Sequence, residues 1–111
     1  MTRITFFTAE GGRITGFEAK GHSGYAEAGE DILCASIGAA VSLVEATVND
    51  VLGLAAAVRT DADRALVSLR LPGGLGPVAE STCQSLLTGL MLYFTMLHDE
   101  YPDNIEVLEA D

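Results

Sequence analysis

"GHSGYAEAGEDILCAS", residues Gly21 to Ser36, is where the chain changes its hydrophobic period. Upstream, the apolar residues follow a strand-like alternation. Downstream, from Ile32, they recur every three or four positions, as on one face of a helix. The stretch therefore marks a passage from sheet to helix. It also holds one of the two histidines and one of the two cysteines, His22 and Cys34. Gly21, Gly24 and Gly29 loosen the segment around them.

Working outward, Thr2 to Thr8 is rich in Ile, Phe and Thr and predicts a strand. Glu10-Gly11-Gly12-Arg13 predicts a tight turn. A second strand runs from about Arg13 to Lys20, with its alternation slipping at Gly16, where a bulge is expected. Leu33, Ile37, Ala40, Val41, Val44, Val48 and Val51 form one stripe on a helix from Ile32 to about Leu54, which Gly53 stops. Ala55 to Thr60 and Ala65 to Leu71 predict two more strands about the turn "DADR". A Pro- and Gly-rich connector leads to a second apolar helix, Val78 to His98. Ile105 to Glu109 predicts a last strand. The order ββαββαβ implies an α+β sandwich, an antiparallel or mixed sheet packed by two helices. At 111 residues the chain is expected to form one domain, 1–111. The two strand–strand–helix units do not match residue by residue well enough to read as a duplication.

The net charge is −10, from 16 acids against 6 bases, which argues against direct nucleic-acid binding through phosphate contacts. A negative field instead favours a basic partner. Neither helix carries the roughly 20 consecutive apolar residues of a membrane span, and the N-terminus does not resemble a signal peptide. A cytoplasmic protein that does not engage membranes is expected. Two cysteines are too few for a disulfide scaffold or a four-ligand zinc site, so reduced thiols and no metal or other cofactor are expected.

Asp31 is a good helix N-cap and reads as the cap rather than as a catalytic acid, making Cys34 the third helical residue. First-turn amides and the helix dipole favour a thiolate there, but the dipole is worth only about 0.3–1 kcal/mol, and Glu30 and Asp31 oppose it. A cationic partner is required, and His22 is the candidate. Two readings of Cys34 stand side by side: a small buried hydrophobe, and a nucleophile flanking the core by about 70° around the helix. Cys83 and His98 fall on the other helix about 22 Å apart, too far for a dyad. Cys83 reads as core packing and His98 as a cation at the helix end. The glycines read equally as turn residues or as a loop that closes over substrate. Tyr25 reads equally as an anchor of that loop or as a substrate contact.

This stretch resembles the signature of the ribosomal-processing cysteine protease family, Prp: Gly-His-small-Gly-Tyr-Ala, then Gly-x-Asp-Ile-aliphatic-Cys-Ala. The flanking elements have the family's length and order. The resemblance implies a catalytic dyad of His22 and Cys34, a loop of Gly21, Gly24, Tyr25 and Asp31 near the substrate, and a homodimer. It implies as substrate the N-terminal extension of the bacterial large-subunit ribosomal protein L-twenty-seven. In that family a Ser commonly stands four residues after the Cys; here that position is Gly38, with Ser36 the nearest hydroxyl. The mechanism implied is thiol acyl transfer, with first-turn amides, including that of Cys34, receiving the oxyanion. The alternatives are a non-catalytic ribosome-assembly protein that binds a basic N-terminal tail, and a thiol redox sensor without a nearby resolving cysteine.

Overall fold

The computed structural model describes residues 1–21 and 27–111, and the side chains of all of these except 27–31. Its elements are β1 (Thr2–Thr8), β2 (Ile14–Lys20), α1 (Glu27–Glu45), a π-helical turn (Ala46–Val51), β3 (Ala57–Asp61), β4 (Leu66–Arg70), α2 (Pro77–Glu100) and β5 (Ile105–Ala110). The ββαββαβ order is the one expected. The five strands form one mixed sheet in the order β3-β4-β2-β1-β5. Its only parallel pair among the described residues is β1 with β5.

Alternation along the strands sends one set of side chains into a common core: Ile4 and Phe6 from β1, Phe17 and Ala19 from β2, Leu69 from β4. Leu33, Ile37, Val41 and Val44 of α1 and Leu87, Leu90, Phe94 and Leu97 of α2 meet them in the same cluster. Both helices therefore cover one face of the sheet. The opposite face carries Arg3, Thr5, Lys20, Ser68 and Arg70 by strand parity. On that face the Arg70 guanidinium stacks 4.7 Å from the Phe7 ring centroid.

The slip in β2 lies where the alternation breaks. Phe7 pairs with Gly16 and Thr8 with Ile14, which leaves Thr15 as the extra residue of a bulge. Gly16 is needed because a Cβ there would lie 2.3 Å from the Leu69 carbonyl oxygen. Two side-chain amides brace the loose ends. Gln84 of α2 accepts from the Ile14 N–H and donates to its carbonyl, both at 2.8 Å. Asn49 does the same for Ala56, at 2.7 and 3.2 Å.

Three expectations are corrected. α1 begins at Glu27, five residues before Ile32. Val51 leaves the apolar stripe and is 77% exposed, because the π-turn adds a residue to the helical repeat and rotates the last turn off the core. The stretch Ile32–Val51, with mean hydropathy 1.6, is long and apolar enough to cross a membrane by length and composition. Core helices share that property, and here Leu33, Ile37, Val41, Val44 and Val48 are packed into the protein core.

Gly16→Ala is expected to lower the unfolding free energy by about 1–3 kcal/mol in urea titrations, because the Leu69 backbone cannot yield without disturbing β4. An unchanged midpoint would show that β2 and β4 tolerate a wider spacing.

Candidate active site

The site grows from the end of β2. Gly21 is held on both sides: its N–H donates to the Ala65 carbonyl at 3.1 Å, and its own carbonyl accepts from the Thr2 hydroxyl at 3.1 Å. Its φ of +90° suits glycine, and a Cβ would lie 2.6 Å from the Met1 carbonyl oxygen. Of the two readings of the glycines, a turn residue or part of a closing loop, these bonds suit Gly21 as a turn residue. His22, Gly24 and Tyr25 lie outside the described residues.

Cys34 is half-buried on the flank of α1, between the buried stripe of Leu33 and Ile37 and the exposed Ala35. That is the flanking position read from the helical spacing, so the thiol is not a core hydrophobe. One turn on, Gly38 leaves open space: a Cβ there meets nothing within 4 Å. A serine here, which the resemblance implies for the family, would fit without a clash. Ser36 does not replace it, because its hydroxyl donates to the Ile32 carbonyl at 2.9 Å.

The early start of α1 changes the electrostatics. Asp31 lies within the helix and is not its N-cap. Cys34 is the eighth helical residue, so its amide belongs to the hydrogen-bond ladder and does not face an oxyanion. The unpaired first-turn amides lie about 10 Å back along the axis, and the dipole effect fades within the first turn. The helix end therefore does not supply the activation that a nucleophilic thiol at this position needs.

The second Cys–His pair is structural. Cys83 is fully buried among core residues, and burial pushes its thiol pKa up, with Glu80 adding to the shift and Arg13 opposing it. Glu80 is engaged with Arg13 in a bidentate ion pair at 2.6 and 3.0 Å, which raises the Arg13 pKa. His98 sits in the last turn of α2, where Nδ1 donates to the Ile105 carbonyl at 2.6 Å and ties the helix end to the start of β5.

A large apolar groove of about 850 Å³ runs between α1 and α2, lined by Ile32, Ala39, Leu43, Leu86, Gly89 and Tyr93 among others. It lies on the far side of α1 from Cys34, about 160° around the helix at about 100° per residue. It is therefore not the cleft that presents a peptide to the thiol.

Comparison with known proteins decides the identity of this thiol-bearing fold. The family described as Cysteine protease Prp matches residues 1–106. The chain belongs to the Prp cysteine protease family. It is 27% identical over 107 residues to the ribosomal processing cysteine protease Prp of Bacillus subtilis (strain 168), covering 96% of each chain. Its fold resembles that of the Staphylococcus aureus ribosomal processing protease Prp, solved with a covalently linked product peptide. The TM-score is 0.78 and the identity 21%, over 98% of this chain and 99% of that one. A Streptococcus mutans protein superposes with a TM-score of 0.84 at 21% identity, over 99% and 94% of the two chains. This Prp-family chain is thus a cysteine protease, which sets aside the non-catalytic reading.

Alkylation separates the two thiols. Iodoacetamide is expected to modify Cys34 in the folded protein and to reach Cys83 only on unfolding, read by peptide mass mapping. Equal labelling of both in the folded state would contradict the burial assigned to Cys83.

Proposed function

We propose that this protease removes the N-terminal extension of the large-subunit ribosomal protein L-twenty-seven, using Cys34 as nucleophile and His22 as its proton partner. The observation that carries the reading is the half-buried Cys34 on the flank of α1, within a chain that matches the Prp family over residues 1–106. The B. subtilis relative is a ribosomal processing protease by name, and an S. aureus Prp structure with a substrate peptide shares the fold.

In the proposed reaction the Cys34 sulfur attacks the scissile carbonyl, and a proton passes through His22 to the leaving amine. Water then hydrolyses the thioester and releases the acid and the thiol. Gly21, the residue before His22 in sequence, is anchored between Thr2 and Ala65. Gly24 and Tyr25 belong to the substrate side of this proposal.

A basic ribosomal tail suits the charge of the chain. Glu27, Glu30 and Asp31 precede Cys34 in sequence. The Gly21–Ala65 bond brings the β3–β4 turn, with Asp61 and Asp63, to the same end of the sheet. We place the enzyme in the cytoplasm, where ribosomal proteins are made, and as a homodimer.

Cys34→Ala and His22→Ala are each expected to abolish cleavage of a peptide spanning the extension junction, read by mass spectrometry; cleavage by the Cys34→Ala protein would overturn the assignment. The kcat/KM for that peptide is expected to fall as salt is raised from about 50 to about 500 mM, because the attraction is screened. A salt-independent kcat/KM would remove the electrostatic part of the reading.

A further inference from the structure

Most glycines outside the helices have a structural reason to be glycine. Gly11, Gly12, Gly21, Gly53 and Gly74 have positive φ. Gly16 has no room for a side chain against the Leu69 carbonyl. Gly38 meets neither condition. It lies well inside α1, its φ is not positive, and a Cβ there meets nothing within 4 Å. Gly89 of α2 is similar, but it lines the groove on the far side of α1 from the thiol. Glycine in a helix interior is less favourable than alanine, because it loses more backbone freedom on folding. The fold gains nothing from Gly38, so its reason lies in something outside the chain that comes close to the helix.

The position of Gly38 says what that is. At about 100° per residue it stands about 40° around α1 from Cys34 and about 6 Å along the axis. Its bare backbone adjoins the thiol, on the flank turned away from the groove. Cys83, the other cysteine, is fully buried, so Cys34 is the thiol that a peptide can reach. An extended peptide advances about 3.3 Å per residue, so a side chain next to the scissile bond spans the distance to Gly38. No charged residue occurs between Ile32 and Val44, and a charged side chain finds no partner on this part of the helix.

Given Cys34 as the nucleophile, the reading on which this rests, we infer that Gly38 determines specificity. Its open space takes a bulky apolar side chain from the substrate residue adjoining the scissile bond. A serine at this position, which the resemblance implies for the family, would put a side chain into that space. This chain therefore accepts larger residues there than a serine-bearing enzyme does.

Two peptidyl chloromethyl ketones, differing only in an alanine or a phenylalanine next to the ketone, test this without a known substrate. Each alkylates Cys34 as the sulfur–carbon bond forms and chloride leaves, and intact-protein mass spectrometry gives the rate. The wild type is expected to prefer the phenylalanine reagent. Gly38→Leu is expected to lower that preference about tenfold, and Gly38→Ser by a smaller factor. Iodoacetamide is too small to use the space, and its rates are expected to agree within about twofold across these proteins. Gly38→Ala is expected to raise the melting midpoint by about 4 °C, because it relieves the helix penalty alone. With the peptide spanning the extension junction, the Gly38→Leu effect is expected in KM and not in kcat. No preference in the wild type, or a lowered midpoint in Gly38→Ala, would overturn the inference. So would an unchanged preference in Gly38→Leu, even where Cys34→Ala is inactive. Cleavage of the junction peptide by Cys34→Ala would instead remove the nucleophile reading, and this inference with it.

Discussion

The contact on which the rest of the structure depends is the packing of Phe94 against the central strands. Its ring lies 6.2 Å from that of Phe6, which in turn lies 5.8 Å from Phe17, all three fully buried. Tilted aromatic contacts at these distances add to the apolar area they bury. They pin α2 over the β1–β2 pair, and β2 is the strand whose end supports the site. Gln84, ten residues earlier on α2, fixes the other end of β2 through both backbone atoms of Ile14. The strand is thus clamped at its start by an amide, in its middle by aromatic packing and at its end by the Gly21 bonds. β2 is therefore held along its whole length up to Gly21.

Much of this was legible in the residues. Strand positions followed from period-two alternation, because each strand has one face in a core and one outside it. The bulge was legible because a register slip leaves its trace beside a glycine. The start of α1 was misread for a specific reason. Asp31 is a good cap, but Glu27, Glu30 and Asp31 suit the first turns of a helix equally well, where the dipole favours carboxylates. Gly29 reads as a loop residue, yet glycine within a helix costs only about 1 kcal/mol. Local signals could not separate a cap from an acidic first turn. The π-turn left no trace either, since one added residue shows only when Val51 is found outside the core.

The shift of that boundary alters the account of catalysis more than the fold. With Asp31 as cap, the helix end would share the work of activating Cys34 and receiving the oxyanion. With α1 starting at Glu27, both contributions lie about 10 Å from the thiol. In the proposed mechanism the requirement falls on His22 and on donors outside the helix ladder. Residues for chemistry are legible from motif spacing, whereas hydrogen-bond donors that belong to the backbone are legible only from where a helix begins.

The two sides of α1 differ in their surroundings. One flank carries the half-buried Cys34, one turn before Gly38, where an added Cβ would meet nothing within 4 Å. The other carries Ile32 and Leu43 over a charge-free groove. In a chain of net charge −10, keeping both outer helix surfaces free of charge forgoes the solubility that exposed carboxylates provide. Ile32 and Leu43 are exposed on the flank that faces away from the thiol. A charged residue at Cys34's flank would act on the substrate's field.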